Sequence, residues 1–131
     1  MQFERIDRSK GELPDEYKPH FQGQAKFQRF DGPFGDTPAV FAVHFEAGGR
    51  TKPHMHKSGQ VLHIAEGEGI VATEAERRTV RPGDVVIVNA DEWHWHGGTP
   101  SSAMTHLTVQ RMTPGDVVWD VEEKDWAEGY E

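Results

Sequence analysis

Beyond the first 20 residues, runs of Val, Ile, Phe and Thr are cut every few positions by glycine, proline or aspartate. This punctuation, more than any other feature, limits what the chain can fold into. Gly48-Gly49, Gly67-Glu68-Gly69, Pro82-Gly83-Asp84 and Pro114-Gly115-Asp116 are turn sites, because proline presets φ and glycine accepts positive φ. Between them lie candidate strands at about 22–30, 38–46, 50–56, 59–66, 69–73, 77–81, 84–88, 93–97 and 103–111. Most have strand length, and several are rich in β-branched and aromatic residues. No window carries a clear 3.6-residue apolar period, apart from a weak short one after residue 120. Many short strands at close spacing predict an all-β barrel or double-sheet sandwich. RPGDVV and TPGDVV, from Arg81 and Thr113, look alike. Nothing around them repeats, so they mark one turn type used twice.

A chain of 131 residues can bury one core unaided. The reading is a single barrel over 21–119, with an N-terminal arm over 1–20 and a C-terminal tail over 120–131. The tail, VEEKDWAEGYE, is polar and acidic, and is expected to pack through Trp126 and Tyr130. The chain has no cysteine, which excludes disulfides and thiolate metal sites; any metal must be held by imidazole, carboxylate or amide. Net charge is −8, from 22 acids against 14 bases. Nucleic acid is disfavoured, since phosphates require clustered Lys and Arg. MQFERIDRSK has no apolar run and no segment reaches the length of a membrane span. The expectation is a cytoplasmic protein with a small-molecule substrate and neither membrane nor nucleic-acid partners.

The histidines carry the chemistry. Strand geometry places alternate residues on opposite faces. Over 54–64 one face holds His54, His56, Ser58, Gln60, Leu62 and Ile64, and the other Met55, Lys57, Val61 and His63. His94 and His96 share a face while Trp93 and Trp95 point away, and over 104–110 one face presents Met104, His106, Thr108 and Gln110. Five of the eight histidines and two glutamines thus lie on faces that can converge inside a barrel. A lone inward histidine is usually a satisfied core residue. Five are harder to absorb, because an unpaired buried polar group costs about 1–3 kcal/mol. A metal ion satisfies several imidazoles at once, and His54, His56 and His94 are the leading candidates. His20 is read as a loop residue and His44, between Val43 and Phe45, as structural; His63 is read as structural or interfacial.

The spacing Gly48, five residues, His54-Met55-His56, three residues, Gln60, six residues, Gly67 resembles the first motif of the cupin family, with Gln in place of Glu. Gly83 followed by ten residues and His94 resembles the second motif, although Asn89, Asp91 and Gly98 stand where the family usually has Pro, Gly and Asn. The resemblance runs from about 22 to 119 and implies a cupin (double-stranded β-helix or jelly-roll) barrel. GGRTKPHMHKSGQVLHIAEGEG with RPGDVVIVNADEWHWHGGTPSSAMTHLTVQ is more closely similar to the small bacterial single-domain cupins that include manganese-dependent hydroxynitrile lyases. That resemblance implies His54, His56, Gln60 and His94 as metal ligands. It also matches His96, His106 and Gln110 to pocket positions. Phe41 and Val43 fall on the pocket face of AVFAVHF, and Phe41 is bulkier than the small residue the resemblance implies there.

Replacing Glu by Gln has a physical consequence. Three imidazoles and an amide are neutral, so the ion keeps its full +2 charge and acidifies a bound hydroxyl more strongly. Four protein ligands leave one or two positions open. The affinity series favours Zn, Cu or Ni, whereas the resemblance implies Mn or Fe; one divalent ion per chain is expected, with Mn first. Three functions fit these residues. In a hydroxynitrile-lyase-type C–C lyase, His106 or His96 takes the substrate proton, Gln110 orients the substrate, and Phe41, Val43 and Leu62 form apolar walls. An O2-dependent dioxygenase would use the same ligands, and a non-catalytic binding cupin would turn nothing over. Imidazole's ordinary pKa near 6.5 suits a base titrating between about 5 and 8. A homodimer or homotetramer is expected, with Trp119 and Trp126 as candidate covers for a neighbour.

Overall fold

The computed structural model describes residues 1–30, 39–111, 113–128 and 130, so position 38 of the expected second strand lies outside the described residues. A short 3-10 helix, Asp15–His20, precedes strands β1 (Phe21–Gln22), β2 (Ala25–Arg29), β3 (Ala39–Phe45), β4 (Arg50–Thr51), β5 (Met55–His56) and β6 (Gln60–Gly67). After them come β7 (Gly69–Thr73), β8 (Arg77–Val80), β9 (Val85–Val88), β10 (His94–Gly98), β11 (Met104–Gln110) and β12 (Val117–Val118). One sheet runs β1-β4-β10-β7-β8 and a second β2-β3-β11-β6-β9, while β12 pairs with β5 alone. The pairings are antiparallel. The chain is an all-β barrel.

Where strands differ from expectation, local chemistry explains it. The strand expected over 22–30 is split at Gly23, whose φ is +67°; a Cβ there would press on the backbone of Gly48 and Gly49. The one expected over 50–56 is broken at Pro53, which cannot donate to a ladder. KGELPDEYKP, read as loop, contains the start of the 3-10 helix, and His20 is that helix's last residue rather than a loop residue. The weak helical period after 120 produces turns and no helix among the described residues.

Strand alternation builds the core. Phe41, Val43 and Phe45 on β3, Leu62 and Ile64 on β6, and Met104 on β11 meet Val71 and Val80 of the opposite sheet. Each large side chain buried this way contributes roughly 1.5–3 kcal/mol. The outer faces are covered at both ends of the chain. Glu12 bridges to Phe27, and Gln28 takes the arm's Asp7 N–H at 2.9 Å while donating to the Arg5 carbonyl at 2.9 Å. The tail seats Trp126 and Tyr130 against Trp95. The Arg50 guanidinium lies 4.3 Å from the Trp126 ring centre and 3.9 Å from that of Tyr130, and Tyr130 donates to the Gly98 carbonyl at 2.7 Å. Trp119 packs between His20 and His54. No helix among the described residues is long and apolar enough to cross a membrane.

Candidate metal centre

Two loops and two strands bring the first three histidines together. His54 and His94 pair backbone to backbone, each N–H donating to the other's carbonyl at 3.0 and 3.1 Å. An antiparallel bridge of this kind puts both side chains on one face. His56 follows His54 by two residues and is held on β5 by Val117 of β12. The result is a buried trio in which one ring nitrogen from each histidine lies within 4.8 Å of the other two. An ion with bonds near 2.1 Å sets neighbouring ligand atoms about 3–3.5 Å apart, so small ring rotations would close the trio around it.

Hydrogen bonds orient the rings. His54 Nδ1–H donates to the Lys52 carbonyl at 2.8 Å, and His94 Nδ1–H to the Glu92 carbonyl at 2.9 Å. Each is thereby left with an unprotonated Nε2 turned inward. Burial is the main reason that both pKa values are lowered, that of His54 well below the usual range, where His94 and His56 also contribute. His56 is held down to about 3 by burial first and then by His94. The trio is neutral at ordinary pH, as metal binding requires.

Gln60 completes the cluster in a telling way. Its Nε2 donates to Thr108 Oγ1 at 2.9 Å and to Gln110 Oε1 at 2.6 Å, which turns Oε1 toward the histidines, 3.3 Å from His94 Nε2. Both of those atoms carry lone pairs and neither has a proton to share. Two acceptors facing one another in a buried site are unfavourable unless a cation lies between them, and 3.3 Å is the spacing of adjacent metal ligands. The donor set therefore fits a divalent ion. Gln110, expected to orient a substrate, lines the chamber and also anchors Gln60.

His96 and His106 lie together but not equivalently. His96 lines the chamber beside the trio, and its Nε2 has no hydrogen-bond partner among the described residues. His96 Nδ1 and His106 Nε2 are 3.2 Å apart. His106 sits behind, fully buried against Phe45, and does not line the chamber. Burial pushes both rings down, His106 to about 3. The expectation of an imidazole titrating between about 5 and 8 is thereby corrected to a lower range: these rings are desolvated, whereas the ordinary value near 6.5 belongs to one in water.

The chamber is small, about 40 Å3. Phe41 and Val43 line it as expected of their face, but Leu62 does not. Leu62 is wholly buried in the core, paired with Thr108 one step below the Gln60–Gln110 pair. Alternation gives the face of a strand residue and says nothing of its depth. The lining residues that spacing missed are Tyr17, Phe21, Phe27, Thr51, Val117 and Trp119. Beyond Tyr17, Val117 and Trp119 opens an outer vestibule of about 400 Å3, so these three side chains partition the site.

A small antiparallel barrel with imidazoles gathered at its interior defines the class, and comparison places the chain within it. The cupin domain model matches residues 41–110, and the chain belongs to the cupin family. A curated relative, the (R)-mandelonitrile lyase of Granulicella tundricola, is 39% identical over 100 residues, which are 76% of this chain and 72% of the relative. A cupin-like protein of Thermotoga maritima superposes with a TM-score of 0.75 at 27% identity, covering 87% of this chain and 90% of its own. The polyketide cyclase RemF of Streptomyces resistomycificus gives a TM-score of 0.75 at 20% identity, over 95% and 89%; at that identity the likeness is one of fold.

Proposed function

We propose that this chain is a metal-dependent lyase of the hydroxynitrile type, cleaving a cyanohydrin to an aldehyde and cyanide and catalysing the reverse addition. The observation that carries the reading is the acceptor-to-acceptor contact of Gln60 Oε1 and His94 Nε2 within the histidine trio, on a chain similar to a protein named (R)-mandelonitrile lyase. His54, His56, Gln60 and His94 would hold one divalent ion, Mn by resemblance, and that ion would supply Lewis acidity toward a substrate oxygen. His96 presents its Nε2 to the chamber and takes the substrate's hydroxyl proton. Its Nδ1–H donates to His106 Nε2, which fixes the acceptor tautomer and spreads the gained charge. Gln110 keeps Gln60 turned inward, and Phe41 and Val43 exclude water from the reacting carbon. The proton later passes from His96 to the departing cyanide, so the ring ends as it began.

A chamber of about 40 Å3 is far below the roughly 300–1,000 Å3 of pockets for drug-sized ligands. Only the reacting end fits inside, and the remainder of the substrate occupies the vestibule once Trp119 swings aside. A homo-oligomer is part of the same proposal: Val85 and Ile87 on edge strand β9 are 59% and 69% exposed beside Val61, an apolar outer face suited to a second copy.

The test is benzaldehyde release from mandelonitrile after reconstitution with Mn, Fe or Zn, under air and under argon. Metal-dependent, oxygen-independent release supports the lyase. Release or substrate loss that requires oxygen would move the reading to a dioxygenase, and one ion per chain with no turnover to a binding protein. Light scattering of the purified protein reads the copy number.

A further inference from the structure

The three histidines are not held alike. His54 and His94 each commit Nδ1–H to a backbone carbonyl, but His56 Nδ1 has no hydrogen-bond partner among the described residues. The group that faces it is a carboxylate. Asp116 is 4% exposed, and its Oδ2, also without a hydrogen-bond partner among the described residues, lies 3.9 Å from His56 Nδ1. Its position is well determined: Oδ1 accepts the Ser58 hydroxyl at 2.7 Å, the Asp116 N–H donates to the Thr113 carbonyl at 3.0 Å, and the Lys57 N–H donates to the Asp116 carbonyl at 2.8 Å. β12, which starts one residue later, pairs with the strand that carries His56. A turn that needed only a small polar residue would have no reason to bury a carboxylate oxygen against an imidazole.

We infer that Asp116 is a positioning residue for the metal centre, taking the Nδ1–H of His56 so that Nε2 faces the ion. This rests on the reading of His54, His56, Gln60 and His94 as ligands. A carboxylate behind a ligating imidazole fixes its tautomer and raises its basicity, and loss of such a partner typically lowers metal affinity 10–100-fold. The closing distance is about 1 Å, within reach of a ring rotation. The arrangement has a chemical point. With an amide at Gln60, the ligand set carries no negative charge; Asp116 places one a single ring away, which favours retention of the ion without reducing its direct Lewis acidity as a ligating carboxylate would.

The experiment measures affinity for Mn2+ and Zn2+ by competition with a chelator, in the full chain and in Asp116→Asn, Ser58→Ala and His94→Ala, alongside the melting temperature of each metal-free protein. The expected result is a 10–100-fold loss for Asp116→Asn with an unchanged metal-free melting temperature, and only a small fraction of that loss for Ser58→Ala. Wild-type affinity in Asp116→Asn, with His94→Ala unable to bind, overturns the inference and leaves the centre standing. Equal losses of affinity and metal-free stability in Asp116→Asn and Ser58→Ala make Asp116 a turn residue and likewise overturn it. Full metal retention by His94→Ala removes the centre itself, and the inference with it.

Discussion

His44 and His56 are both almost wholly buried imidazoles on strands of one barrel, and they meet the demand for partners in opposite ways. His44 lies on the outer side of β3. Its Nε2–H donates to Gln28 Oε1 at 3.0 Å, and Thr105 donates to its Nδ1 at 2.8 Å. Gln28 in turn ties down the arm, so His44 is one node of a closed network. His56 lies on the inner side, and neither ring nitrogen has a hydrogen-bond partner among the described residues. The same residue type, equally buried, is structural in one place and available to a ligand in the other. Satisfied hydrogen bonds mark the first, and outstanding ones mark the second.

The largest separation between the two should appear in metal content. Because an outer partner alone is worth 10–100-fold, His56→Ala should lower affinity by at least about 100-fold, read by elemental analysis after dialysis. His44→Ala should keep its full complement, and a loss there would break the comparison. His44→Ala should instead lose stability. Removing one partner of a buried network leaves Gln28 and Thr105 short, at about 1–3 kcal/mol, read from denaturant midpoints; the arm should become protease-sensitive in the same variant.

Acid should act on both rings with one sign. The pKa values of His44, His54, His56, His94, His96 and His106 are all lowered, chiefly by burial. The folded metal-free protein keeps these rings neutral, while the unfolded chain gains protons as pH falls through about 6.5. Stability is therefore complete above about 6.5 and declines with falling pH toward the folded values, which are about 3 for His56 and His106. The metal-free melting temperature should drop steadily from about pH 7 to about pH 4, and a flat profile would show that the rings are not desolvated. The smallest effect belongs to Phe41, which shares β3 with His44 but faces inward. Phe41→Leu should enlarge the chamber and lower KM for a bulky cyanohydrin by up to about tenfold, with metal affinity unchanged.

Much of this was legible in the sequence, and the parts that were not share a physical cause. The strand over 69–73 lies where turn residues bound it, and alternation places His54, His56, Gln60 and His94 on converging faces. It does not rank them by depth, which is why Leu62 falls beneath the chamber and His106 behind His96. Tyr17, Trp119 and Asp116 come from a 3-10 helix, a connecting segment and a turn, none of which has a period to read. TPGDVV reads as a turn. The one available signal for Asp116 is its place just before β-branched residues, and that signal is shared by Asp84, whose Oδ2 accepts the Arg81 backbone N–H at 2.8 Å.

The pairing of β12 with β5 has a consequence in time. Ser58 and Asp116 are 58 residues apart in sequence. At roughly 5–20 residues per second, the strand bearing His56 leaves the ribosome about 3–12 s before the segment that closes over it. Contacts of this range form late. Through that interval the strand bearing His56 has no pairing partner and no wall of Val117 above it, so the candidate centre is closed only by one of the last segments of the chain to be made.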